Sequence, residues 1–246
     1  TRSRSKTLPV PMVYTQQEAR LEALLSEQER LFKELQASSD ALQASPTEDV
    51  NRPNPTQADL QAQFQALVDR YELYLLDHPD YVPALIAYGK LLRQLDQAAQ
   101  AHVVFVRAAQ LAPELAVVHQ QLGNHFAERG QYGQAYIAFS RAIELAPAEA
   151  VYAYSLGELL HAYPLQFLEE GIFSNRAHLD ATAQSAFQKA RDLAPHNEAF
   201  ARRYAESFYD TQSPDWAAAL AAWETAEPRF PHPNPIDRRP PEALGA

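Results

Sequence analysis

Prolines stand at positions 79, 113 and 147, and the segments that end near the second and third are copies of one another. DQAAQAHVVFVRAAQLAPEL (96–115) is rewritten 34 residues later as GQYGQAYIAFSRAIELAPAE (130–149). A fixed period of this size signals stacked supersecondary units, none of which buries its apolar face alone. Pro195 and Pro231 follow at intervals of 48 and 36. Aligned on these prolines, 82–115 carries Gly89, Ala101, Phe105 and Ala108, and 116–149 carries Gly123, Ala135, Phe139 and Ala142. Residues 150–197 carry Gly157, Ala183, Phe187 and Ala190, and 198–233 carry Ala205, Ala219, Trp223 and Ala226.

Two antiparallel helices per unit explain the pattern. A Gly or Ala in the first helix, facing an Ala in the second, lets two backbones approach closely; the aromatic is then expected to fill the wedge between adjacent units. Proline stops the second helix, because it has no N–H to give and restrains the residue before it. Gly130 in ERGQY suits the turn between helices. No stretch alternates with period two between turn signals, so a sheet protein is excluded.

These residues resemble the tetratricopeptide repeat family over about 82–233. The resemblance is most specific in the second unit, at Leu122, Gly123, Phe126, Gly130, Ala135, Phe139, Ala142 and Pro147, and nearly as good in the first, at Tyr88, Gly89 and Leu92. It implies an all-α fold, a right-handed α-solenoid of tetratricopeptide-like helix pairs with an N-terminal helical extension. The third unit departs from the pattern through an insertion at about 163–179, and the fourth starts its second helix near Asp215. The segment 57–78 ends in register but carries Leu67, Tyr71 and Tyr74 in place of small residues, with prolines where a partner would lie, and reads as a lone capping helix.

Ahead of the solenoid, 1–15 reads as an extended lead and 45–56 (SPTEDVNRPNPT) as a linker. Between them, 16–44 is a helix without internal Gly or Pro. A heptad seam of Leu21, Leu24, Gln28, Leu31, Leu35, Ser38 and Leu42 makes it a possible coiled coil, hence a route to a homo- or hetero-oligomer. The alternative is that this helix docks on its own solenoid. Residues 234–246 form a Pro-rich tail. The chain opens on Thr1 and its last helix runs into that tail, so a longer native chain is one expectation.

Composition narrows the function by exclusion. Net charge is −10, which argues against nucleic acid, whose phosphates demand a basic face. Cysteine is absent, which rules out disulfides and thiolate metal sites and leans weakly towards an exported compartment. No apolar run reaches the ~20 residues of a membrane span. The seven glycines form no phosphate-binding loop, and there is no GxSxG or HExxH. Glu158 and His161 have a metal-like i,i+3 spacing, but a di-metal bundle needs that motif twice. No catalytic, cofactor or metal residue is therefore assigned, and the chain reads as a non-enzyme.

What remains is a face. The resemblance implies that the first helix of each unit lines a concave groove for a protein or peptide. Carried over, this face comprises Ile86, Lys90, Arg93 and Gln94; Gln120, Gln121, Asn124 and Glu128; Tyr154, Ser155, Glu158 and His161; and Arg202, Arg203, Glu206 and Tyr209. A merely solvated face is the competing reading. Of the Lys, Asn and Arg set by which some relatives grip chaperone tails, only Asn124 and, loosely, Arg203 are present, so that ligand is not expected. The insertion holds Leu165, Phe167, Leu168, Ile172 and Phe173: exposed, they make an interaction patch; folded back, they plug one end of the groove. The expectation is an interaction scaffold, with an assembly subunit joined through 16–44, or a regulatory fragment of a larger protein, as the alternatives.

Overall fold

A computed structural model describes residues 16–44, 55–211 and 215–226, and all regular structure among them is helical. The helices in chain order are α1 (Gln16–Ala44), α2 (Pro55–Asp77), α3 (Val82–Gln94), α4 (Ala98–Leu111), α5 (Ala116–Glu128), α6 (Tyr132–Leu145), α7 (Ala150–Ala162), α8 (Pro164–Glu169), α9 (Arg176–Leu193), α10 (Glu198–Glu206) and α11 (Trp216–Ala226). A 3-10 turn, Ser207–Asp210, continues α10. The chain divides into two compact units, Thr1–Val104 and Phe105–Ala246. The lead, most of the linker and the Pro-rich tail lie outside the described residues, as does the side chain of Leu42 in the heptad seam.

In the first unit α2 is not a lone cap. It packs against α1 in antiparallel fashion: Tyr71 donates its hydroxyl proton to Gln28 Oε1 (3.0 Å) and Tyr74 to the Gln17 carbonyl (3.0 Å), while Phe32 and Phe64 pack at 4.9 Å. Leu21, Leu24 and Leu31 are buried together with Leu60, Phe64, Leu67, Tyr71 and Tyr74. Three of the leucines that suggested a coiled coil, Leu21, Leu24 and Leu31, are thus used inside the unit while Leu35 stays exposed, and the bulky residues of α2 that replaced small ones are what α1 covers. On the exposed side of α1, Lys33 Nζ donates to Glu29 Oε1 at 2.6 Å, a favourable i,i+4 pair. Burial raises the Tyr71 phenol well above its ordinary value. Tyr71 stacks on Tyr88 of α3, whose hydroxyl donates to Glu72 (2.9 Å).

In the second unit the repeat physics is visible in detail, with one correction. α5 packs on α6, α7 on α9 and α10 on α11. The glycine of the first helix faces the aromatic ring of its own partner helix and not an alanine. A Cβ on Gly123 would lie 2.7 Å from Phe139 Cε1, and one on Gly157 2.7 Å from Phe187 Cε1. The small residue makes room for a ring within the unit. The ring then leaves no space for a side chain opposite, which is why glycine and phenylalanine recur together.

The inter-helix turn explains the insertion. Gly130 has φ 71°, and Gln131 N donates to the Phe126 carbonyl at 2.8 Å, a Schellman-type ending. Asp96, one period earlier, takes φ 60° with the same bond from Gln97 N to the Leu92 carbonyl (2.8 Å). One period later stands Pro164, whose ring holds φ near −65° and forbids that turn. The chain instead starts α8 at Pro164 and makes the delayed turn at Gly171 (φ 69°), where Ile172 N donates to the Phe167 carbonyl at 3.1 Å. Asn175 Oδ1 then accepts from His178 N (2.9 Å) and caps α9.

The insertion is folded back. Phe167 (fully buried) and Phe173 sit among Leu159, Leu160 and Leu179, with Tyr132, Tyr136 and Tyr163 packed around them. Tyr132 stacks on Tyr163 at 4.1 Å and Tyr136 meets Phe173 edge-on at 5.7 Å. Gly133 of α6 is what lets Glu170 and Ile172 lie close. A five-residue exposed patch is therefore not formed: Phe167 and Phe173 belong to the core, Leu168 is half-buried, and Leu165 and Ile172 remain exposed.

Candidate functional site

Lys90 and Arg93 lie on α3 in the first unit, half-buried, beside exposed Gln94. The other face positions belong to the second unit. On α5, Gln120 and Asn124 are half-buried and Glu128 is exposed. Gln121 is only 3% exposed and donates to Gln120 Oε1 at 2.7 Å, so it is a packing residue and leaves the candidate face. Tyr154 also serves packing. It is half-buried, 4.7 Å from the Phe200 ring and 5.9 Å from Phe187, and packs against the α7–α9 core. Arg202 pairs with Glu198 along the α10 surface.

Glu158, His161, Arg203, Glu206 and Tyr209 come together, joined by Asp210 and Trp223, around a cleft of about 420 Å³ between α7, α10, the 3-10 turn and α11. Arg203 is its keystone. Nε donates to Glu158 Oε1 (2.6 Å), Nη1 to Asp210 Oδ2 (2.9 Å), and the guanidinium lies 4.2 Å over the Phe187 ring. His161 Nδ1 lies 3.1 Å from the same Asp210 oxygen. The metal-like Glu158/His161 pair thus has other work, and among the described residues no group of three or more His, Cys, Asp or Glu is placed to hold a metal ion.

Local structure sets this up. Where α5 and α7 run 13 residues, α10 stops after nine and tightens into the 3-10 turn. Buried Phe208 anchors that turn, and Arg176 Nη2 donates to the Asp210 carbonyl (3.0 Å) while its Nε holds Asp180 (2.5 Å). Asp210 is thereby held on the Arg203 side. Burial works to raise its pKa, but the hydrogen bonds from His161 and Arg203 outweigh burial and hold the carboxyl below its ordinary 3.8. Burial likewise opposes the Arg203 charge, and Asp210 and Glu158 overcome it.

Two donors at the cleft are left over. Among the described residues, Arg203 Nη2 and Trp223 Nε1 are buried without a well-aligned hydrogen bond, the Tyr209 hydroxyl lying beside the indole N–H. Trp223 is 6% exposed and packs with Ala205, Phe208, Ala219 and Ala222, taking in its unit the place that Phe139 and Phe187 take in theirs. Sequence reading missed Asp210 because it lies in the irregular turn, outside the repeat pattern. It missed Trp223 as a cleft residue because a repeat aromatic is read as core; the change from Phe to Trp, which adds an N–H, was the available signal.

The helix pairs and their turns define a protein of the tetratricopeptide-repeat fold. No protein-family model matches the chain, and no curated protein matches it by sequence. Among solved structures it is similar to MamA, at 19% identity over 69% of this chain and 84% of that one (TM-score 0.53). MamA 41-end from Desulfovibrio magneticus RS-1 superposes with TM-score 0.52 at 18% identity, covering 69% and 86% of the two chains. YrrB, a TPR protein with an unusual peptide-binding site, is 16% identical over 78% of this chain and 92% of its own (TM-score 0.50). These likenesses establish the fold.

Proposed function

We propose that the chain is a non-enzymatic interaction scaffold whose first-helix faces bind a peptide or a partner domain. The observation that carries this reading is the coincidence of face and cleft: five of the seven residues around the 420 Å³ cleft are first-helix face positions. A purely solvated face would leave such positions flat and independent, whereas here they converge on a concavity of the size used for ligand recognition. That YrrB has a peptide-binding site on the same fold adds to the reading. No helix among the described residues is long and apolar enough to cross a membrane.

The reading is tested by affinity capture from native extract, wild type against Gln120→Ala/Asn124→Ala. Asn124 is half-buried on α5 and outside the α7–α9 core, whereas Gln120 also accepts from buried Gln121, so Asn124→Ala alone is carried beside the double variant and is expected to melt close to wild type. A protein bound by wild type and lost by the variant supports the scaffold. No specific capture, or one indifferent to variants over the whole face, refutes it. Assembly through 16–44 is the weaker reading, since Leu21, Leu24 and Leu31 are already covered within the unit.

A further inference from the structure

We infer that the cleft at Arg203 is a subsite for a lysine or arginine side chain of a bound peptide. This rests on the scaffold reading and specifies what one part of the face selects.

Charge is the first argument. Glu158, Glu206 and Asp210 face one guanidinium, Arg203, and one imidazole, His161. Even with His161 protonated, the lining keeps a net negative charge. Arg203 is already committed to Glu158 and Asp210, and His161 to Asp210, so the cations of the cleft are engaged by its own carboxylates. An incoming carboxylate or phosphate would meet repulsion, and an incoming ammonium or guanidinium would be attracted.

The walls and the leftover donors narrow the ligand further. Tyr209 and Trp223 supply aromatic surface at the cleft, and a desolvated cation is attracted to the face of such a ring. Trp223 Nε1, on a side chain more than nine-tenths buried, lacks a well-aligned hydrogen bond among the described residues, with the Tyr209 hydroxyl beside the indole N–H. Arg203 Nη2 is likewise unpaired. Buried donors in native proteins are nearly always satisfied, by protein or by water, and a peptide carbonyl at the cleft is one acceptor that would serve. A simple amine leaves these donors to water, an apolar group leaves the carboxylates of the lining unanswered, and an anion is repelled. A basic residue within a peptide brings its cation and a backbone carbonyl together, and the cleft volume accommodates one such side chain.

The test uses the full chain, which has two tryptophans, so two indole N–H resonances are expected and Trp216→Phe assigns them. Blocked peptides Ac-Gly-Ser-Gly-X-Gly-Ser-Gly-NH2, with X as Lys, Gln or Glu, are titrated against 15N-labelled protein. The Lys peptide is expected to move the Trp223 indole resonance saturably, the Gln peptide more weakly and the Glu peptide not at all. Glu206→Gln should weaken the Lys peptide about fivefold, the value of one partly screened ion pair, and wild-type affinity for it should fall with added NaCl. Glu binding as tightly as Lys, no movement of Trp223 with any peptide, or a Lys affinity blind to both Glu206→Gln and salt would overturn the subsite. If capture still depends on Gln120 and Asn124 while this titration fails, the scaffold stands and the basic subsite falls; loss of both removes the scaffold itself.

Discussion

At the scale of the residue, Asp210 shows how a side chain outside the repeat pattern organises those inside it. Its carboxylate accepts from Arg203 and from His161, and its carbonyl accepts from Arg176. The sign of its contribution follows from the direction of its pKa. The folded-state value lies below the ordinary 3.8, so the stabilisation is present above 3.8 and is lost as pH falls through the depressed folded value. Asp210→Asn removes the charge and keeps the shape. In thermal melts from pH 7 down to 2, the variant should start less stable than wild type, and the gap should close below pH 3.8. A gap that stays constant to pH 2 would mean that Asp210 acts through packing alone.

At the scale of the element, the regular helices were legible and the exceptions were not, for identifiable reasons. The α3–α6 stretch carries a two-copy pattern ending in proline, and its turns fall where Asp96 and Gly130 take positive φ. Pro164 in that register already forbade a third such turn, so the insertion had a readable cause. Its fate had none: Phe167 and Phe173 are equally apolar in an exposed patch and in a core, and only the proximity of Tyr132, Tyr136 and Tyr163 decides. α1 was ambiguous for the same reason, since one leucine seam serves a coiled coil or an intramolecular pair. Burial separates the inserted side chains energetically. Phe173→Ala should cost about 3–5 kcal/mol, because it empties a filled site, whereas Leu165→Ala, at a position 64% exposed, should stay within about 0.5 kcal/mol. Urea unfolding of the two variants checks this; equal costs would show that α8 does not hold its place through the aromatic cluster.

At the scale of the whole molecule, the repeat fold accounts for burial, and the charge of the chain governs its response to salt. Net charge is −10, and the first fifteen residues are basic through Arg2, Arg4 and Lys6, so the remainder is more acidic still. Such a molecule repels itself at neutral pH and attracts basic partners, which is the sign the Arg203 cleft also carries. Self-repulsion and ion pairing then respond oppositely to salt. Self-repulsion among solvated carboxylates is screened, which stabilises. Pairs such as Lys33–Glu29 and Arg141–Glu114 are screened too, which destabilises, but exposed pairs contribute little, and the half-buried Arg203 pairs are screened less. Repulsion should therefore dominate. Raising NaCl from about 0.01 to 0.15 M, which shortens the Debye length from about 30 to 8 Å, is expected to raise Tm at pH 7 by about 2–4 °C, equivalent to about 1 kcal/mol for a chain of this size. The rise should vanish at pH 5.3, the sequence isoelectric point, where there is no net charge to screen. A Tm that falls with salt at pH 7 would instead mean that the surface ion pairs outweigh self-repulsion, and the acidity of the chain would then be no guide to its partner.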